Sequence, residues 1–199
     1  PVLAHPPDTD SDITLREWLA LMATTDKGIK LDFKSLEALG PSLELLGQLE
    51  QQLSRPVWVN GDVLPGPGGT HGGLDPQSFL STIPSTFPSV TLSLGWTTGQ
   101  PCHGQGYEWV MVQEMSQLCR ALPQPVSFPV RALLVPQSLP QLRWLLQQSR
   151  RYSLTVWTGK EDVYSVEDLL QIRENFDRSR VYYDIFEPQN SEFKRAIGI

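Results

Sequence analysis

The chain has 199 residues, 40% hydrophobic and 19% charged, which suits one folded domain and excludes a disordered chain. A formal net charge of −6 offers no basic field to nucleic acid or to an anionic bilayer. No apolar run approaches the roughly 20 residues that span a membrane.

The start, "PVLAHPPDTDSD", has no initiator Met and shows no signal peptide, and it ends an apolar run on His5. A helix is expected over 11–23, opened by Ser11 or Asp12. "GIKLDFK" (28–34) reads as a strand, and leucines at helical spacing mark a helix over 35–53. "PVWVNGD" (56–62) is the next strand. It runs into the Gly-rich loop "VLPGPGGTHGG" (63–73), which either offers N–H groups to an anion or simply turns the chain. Neither GxGxxG nor GxxxxGK[ST] occurs in it.

A helix over 75–87 begins with Asp75 as N-cap and Pro76 at its first position. "VTLSLGW" (90–96) is a strand, and 106–122 is a strongly periodic helix. "PVSFPVRA" (125–132) is a strand in which Pro129 implies a bulge. A helix over 138–150, a strand over 152–158, a helix over 165–176 and a strand over 181–187 complete the series. Both of these helices start on a Ser cap, and Ser165 with Asp168 forms a capping-box-like start.

Strict strand–helix alternation implies a parallel sheet, either doubly wound or a (β/α)8 barrel. Within each strand one face is apolar: Ile29, Leu31 and Phe33, for example, oppose Lys30, Asp32 and Lys34. A sheet covered by helices on both faces would be apolar throughout, so the alternation favours a barrel with a partly polar lumen. Polar residues fall late in the strands, where barrel enzymes build their sites: Asp32, Lys34, Asn60, Asp62, Arg131, Thr158, Asp184 and Glu187. Six strands do not close an eight-stranded barrel, so the first two βα units are expected to be missing. The strands at 28–34 and 181–187 are then expected to be open edges, with poor solubility as the consequence.

Cys119 lies in an apolar helical run and reads as a buried free thiol, although a disulfide with Cys102 stays open. Cys102, His103 and His71 lack the spacing of a zinc site.

"AHPPDTDSD", "GIKLDFKSL", "VWVNGDVLPGPGG", "TLSLGWTTG", "PVSFPVRA", "YSLTVWTGK", "YSVEDLL" and "YDIFEPQNSEFKRAIGI" together resemble the menorin family over essentially the whole chain, and most closely its short, single-domain vertebrate members. The resemblance implies one domain over 1–199, an N-terminally truncated TIM-type (β/α)8 barrel of the phosphodiesterase-like kind. In the related glycerophosphodiester phosphodiesterase-like barrels, one His and a Glu-x-Asp pair precede a second catalytic His. By that likeness His5 is the second catalytic His, and "LDFK" supplies Asp32 as metal ligand and Lys34 as the phosphate-facing base. Asp62 is a further metal residue. Asn60, Arg131, Trp157, Asp184 and Glu187 are substrate-facing candidates; Arg131 either grips a phosphate or pairs structurally with Asp184.

The implied chemistry is phosphodiester cleavage assisted by a divalent ion, Mg or Ca, in the intact protein. The substrate class is a phosphodiester small molecule or a lipid-derived one, with no nucleic acid, no transmembrane segment and room for a protein partner. The truncated chain itself is expected to be inactive. The rival reading is a non-catalytic secreted module linked to neuronal development, since menorin ties the family to dendrite branching; location is then extracellular, with the cytoplasm as the alternative. A glycosidase using Asp32, Asp62 and Asp184 is a third reading, opposed by Lys34 and Arg131 at the same mouth.

Overall fold

Six strands pair in parallel in the order of the sequence, β1 to β6, in a computed structural model that describes residues 1–70, 73–100 and 104–199. The strands are β1 (Ile29–Phe33), β2 (Val57–Pro65), β3 (Thr91–Thr97), β4 (Val126–Arg131), β5 (Tyr152–Trp157) and β6 (Val181–Asp184). The order never reverses, which excludes the doubly wound alternative. Successive crossovers of one hand put the helices on one face of the sheet. The result is an α/β fold with a curled half-barrel sheet flanked by helices. Strands β1 and β6 lie at its two edges, as expected from the strand count.

The two-residue period explains how the faces divide. Leu31, Val59, Leu92, Leu94, Phe128, Val130, Leu154 and Val156 are buried in the helix-covered core. The opposite, concave face carries Lys30, Asp32, Trp58, Asn60, Asp62, Ser93, Ser127, Thr155 and Tyr182. Its floor is polar but satisfied: Ser93 Oγ donates to Asn60 Oδ1 at 2.6 Å, and Ser127 and Thr155 share a hydrogen bond of 2.8 Å. Trp58 and Tyr182 measure the curl. In a flat sheet four strand spacings would hold β2 and β6 about 19 Å apart, with side chains standing parallel. Their rings instead meet edge to face, with centroids 4.8 Å apart.

Helix α1 (Leu15–Met22) begins later than expected, because Thr14 and Glu17 form the capping box and Ser11 and Asp12 do not. Helix α2 (Leu36–Leu49) follows β1, α3 (Pro76–Thr86) follows β2, and α4 (Trp109–Cys119) follows β3. Asp75 caps α3 through the Ser78 N–H at 2.8 Å, as its sequence signature requires. Helix α5 (Leu139–Gln147) has no side-chain cap from Ser138. That hydroxyl is buried and spent elsewhere: it donates to the Leu134 carbonyl at 2.5 Å and accepts the Tyr107 N–H at 2.7 Å. Helix α6 (Val166–Glu174) carries the expected Ser165–Asp168 box. Strand β6 ends before 187, and the chain turns into a helix absent from the sequence reading, α7 (Gln189–Ala196). Its Phe193 is buried against Tyr183, with centroids 4.8 Å apart. Cys119 is fully buried, and burial pushes its thiol up to about 12. It is an inert core thiol; Cys102, His103 and His71 lie outside the described residues.

Pro129 leaves a gap rather than a bulge in its own strand. Pairing with β5 is continuous from Val126 to Arg131, whereas registered pairing with β3 ends at Ser93↔Ser127. Residues 127, 129 and 131 direct their backbone groups to the same side. At 129 there is no N–H to give, and the Arg131 N–H donates at 2.9 Å to the buried Tyr107 hydroxyl instead. The irregularity itself lies in β2, between Asp62 and Leu64.

Trp58→Ala and Tyr182→Ala should show a coupling of about 1 kcal/mol in a double-mutant cycle read by urea unfolding. Additive effects would mean that the curl is held elsewhere.

Candidate functional site

The polar residues of β1 and β2 gather at the C-terminal end of the sheet. Asp32 opposes Asn60 in register, and Lys30 opposes Trp58. Lys30 Nζ lies 3.0 Å from Asp32 Oδ1, and Lys34 Nζ lies 3.9 Å from Asp62 Oδ2. Asp62 is the less exposed of the two carboxylates, at 35% against 50%. Burial pushes its carboxyl above the usual range; the Lys34 charge opposes this, the Asp32 charge adds to it, and Lys30 opposes it again. One cation at the edge of ion-pair distance therefore does not compensate this carboxylate.

Asn60 lies beneath, buried and engaged by Ser93. The segment before His5 joins α1 rather than the sheet, through an antiparallel Val2↔Thr14 bridge and a Leu15 N–H bond to the Pro1 carbonyl at 3.0 Å. The His5 ring is exposed, and its Nδ1 lies 2.8 Å from the Pro6 carbonyl. A carbonyl only accepts, so this bond places the proton on Nδ1 and leaves Nε2 as the basic nitrogen. Among the described residues no group of three His, Cys, Asp or Glu side chains could hold a metal, so His5, Asp32 and Asp62 do not form one metal-binding cluster.

The other wall of the mouth is an ion pair that the sequence reading placed differently. Arg131 does not pair with Asp184. Its Nε donates to Asp162 Oδ2 at 2.9 Å, Nη2 donates to Asp162 Oδ1, and Nη1 donates to the Gly99 carbonyl at 3.1 Å. The guanidinium stands 5.4 Å above the Trp157 ring. Asp162 also accepts the Gly159 N–H at 2.8 Å. Burial works against the charge on Asp162, but the Arg131 hydrogen bonds, the Gly159 N–H and the Arg131 charge outweigh it and hold the carboxyl below its usual range. The fork that would clamp a phosphate is thus turned inward, where it ties the β3–α4 loop to the β5–α6 loop. Asp162 and Tyr107 were missed in the sequence: Asp162 stands in a loop where no periodicity marks a partner, and Tyr107 falls within the helix expected over 106–122, whereas α4 begins at Trp109.

Asp184 is exposed and opposes Trp157 in register. Glu187 is exposed and accepts from the Ser191 N–H at 3.1 Å and the Ser191 hydroxyl at 2.9 Å, bonds that lower its carboxyl and secure the start of α7. Trp96, buried in β3, packs on Tyr107 with ring centroids 5.0 Å apart. The Gly-rich loop folds onto the end of β3. Gly66 N–H donates to the Thr97 carbonyl at 2.9 Å, Gly69 N–H to the Gly66 carbonyl at 2.9 Å, and Gly99 N–H to the Pro67 carbonyl at 3.1 Å. A Cβ on Gly69 would lie 2.6 Å from the Thr97 carbonyl oxygen, so backbone approach explains that glycine. The N–H groups of Gly66 and Gly69 are spent inside the fold and do not form an anion cradle. No helix among the described residues is long and apolar enough to cross a membrane.

The sequence model of the menorin N-terminal domain matches residues 1–190. The Homo sapiens protein FAM151B is 59% identical over 201 residues, a match spanning 100% of this chain and 73% of the relative. Among solved structures, thiamine phosphate pyrophosphorylase from Pyrococcus furiosus is similar at a TM-score of 0.40 and 9% identity, covering 92% of this chain and 82% of that one.

The two carboxylates should behave oppositely in stability. The lowered Asp162 carboxyl adds stability above the ordinary carboxylate range, and this is lost as pH falls through its folded-state value. Arg131→Ala, which strands that buried charge, should cost about 3–5 kcal/mol at neutral pH. The raised Asp62 carboxyl holds its proton more tightly folded than unfolded, so its ionisation costs stability as pH rises. Asp62→Asn should therefore raise the urea midpoint at pH 7 and leave it little changed near pH 3. A fall at pH 7 would contradict the strained-carboxylate account.

Proposed function

The chain belongs to the menorin family, and from that premise we propose that its mouth is a phosphodiester-hydrolysing site that works with a divalent cation, Mg or Ca. The observation that carries this is the Asp32–Asp62 pair on adjacent strands, with Asp62 half-buried and undercompensated. Hard dications take carboxylate oxygens, and Mg in particular needs only one or two of them, completed by water and substrate phosphate. Asp32 and Asp62 fit that donor set and would hold the ion. When bound, such an ion supplies Lewis-acid polarisation of a phosphoryl oxygen.

The protein's own residues supply the rest. Lys34, close to Asp62, faces the phosphate charge. His5, with Nε2 free of the Pro6 bond, exchanges the proton of the nucleophile or of the leaving alkoxide. Asn60, held by Ser93, orients the floor, and Trp157 with Asp184 borders the alcohol portion of the substrate. A phosphodiester small molecule or lipid-derived phosphodiester, met outside the cell, is the substrate class of this reading. A second reading, a non-catalytic secreted binding or signalling module, is favoured by the inward commitment of Arg131 and Glu187, two groups otherwise suited to substrate.

Calorimetric titration of the full-length protein with Mg, Ca and Mn separates the two readings, together with turnover of bis(p-nitrophenyl) phosphate. The hydrolase reading expects metal-dependent turnover that Asp32→Ala abolishes. Absence of both metal binding and turnover overturns it and leaves the binding module.

A further inference from the structure

Asp62 is enclosed by two glycines from different parts of the chain. On its backbone side, a Cβ at Gly73 would lie 2.1 Å from the Asp62 carbonyl oxygen and 3.3 Å from Asp62 Cβ. That carbonyl is fixed there by the Leu74 N–H at 2.8 Å, so the returning Gly-rich loop locks the Asp62 main chain. On its side-chain side Asp62 opposes Gly95 of β3 in register, and a Cβ at Gly95 would lie 2.6 Å from Asp62 Oδ1. Real Cβ atoms do not approach an oxygen so closely. The next neighbours, Pro129 Cγ and Cδ, are at ordinary contact distances of 3.4 and 3.6 Å. The only atom in conflict with a side chain at 95 is therefore the carboxylate oxygen.

Backbone conformation does not call for glycine at 95. The described glycines with positive φ are Gly68, Gly104 and Gly198, and Gly95 is not among them. Glycine inside a strand is less favourable than alanine, so its use in β3 needs another reason. The reason on hand is room. We propose that Gly95 is a positioning residue for the Asp62 carboxylate: its bare Cα is the seat on which Oδ1 rests, and the Gly73 turn prevents Asp62 from moving its main chain to another place. The seat keeps the carboxylate on the concave face beside Lys34 and Asp32. The role toward a cation rests on the hydrolase reading; the seat itself does not.

The experiment has two arms. In the first, Mn is titrated into the full-length protein and into Gly95→Ala, with free Mn read by electron paramagnetic resonance. A folded Gly95→Ala protein should lose about tenfold or more in Mn affinity, the loss typical of disturbing a ligand's support. Adding Gly95→Ala to Asp62→Ala should change affinity no further. Native-like Mn binding by folded Gly95→Ala overturns the positioning role, whereas absence of Mn binding in the native protein overturns the hydrolase reading and not the seat. The second arm tests the seat alone, by urea unfolding of both single variants and the double variant. Gly95→Ala should destabilise when Asp62 is present and be neutral or stabilising alongside Asp62→Ala; additivity overturns the seat. If Gly95→Ala alone fails to fold, the double variant should recover a cooperative transition, and its failure to do so counts against the proposal.

Discussion

Pro129 sits inside β4 with no N–H to give to β3, and registered pairing of those strands ends two residues before it. Much of the mouth follows from that missing donor. The Arg131 N–H, left facing the same seam, goes to Tyr107, whose phenol is buried and held above its usual range by burial despite that bond. Tyr107 is in turn anchored through its own N–H to Ser138. With its backbone fixed, Arg131 directs its fork to Asp162 and Gly99 and lies over Trp157. One absent hydrogen bond is thus exchanged for a network joining three loops. A proline in a central parallel strand would otherwise leave the ladder locally unsatisfied.

Asp62 and Asp162 show how one side chain acquires opposite properties in one mouth. Both are withdrawn from water, which by itself raises a carboxyl. Asp162 meets a bidentate guanidinium and a backbone N–H, and its charge is stabilised. Asp62 meets a lysine at 3.9 Å and a second carboxylate, and its charge is not. The compensated carboxylate is structural, and the uncompensated one is the residue with capacity left for a ligand. Residue type does not separate these cases; the distance to the neighbouring cation does.

Legibility in the sequence followed the range of the interaction concerned. Six strands, their parallel order and the polar concave face were readable, because alternation within a strand depends only on neighbouring residues. The Asp75 cap and the Ser165–Asp168 box were readable for the same reason. Ser138 misled: it stands at a cap position, but a residue 31 positions away claims its hydroxyl. Helix α7 went unread because it is short and largely polar, with Phe193 alone buried. Asp32 and Asp62 were legible as site candidates from their place late in the strands. The fate of Arg131 was not, since its partner lies in an aperiodic loop.

The sequence by itself determined the fold class, the division of each strand into a helix-facing and a concave side, and the gathering of charge at one end. Those follow from local periodicity and from the rule that consecutive βα units join a sheet in order. Only the tertiary structure decided which charges are spent and which remain. It folded the Gly-rich loop back on itself and onto β3, turned Arg131 inward, and seated Asp62 against a glycine 33 positions away, the same separation as Asn60 and Ser93, the preceding pair on the same face. Such outcomes depend on how closely residues remote in the chain approach one another, and no local pattern encodes that.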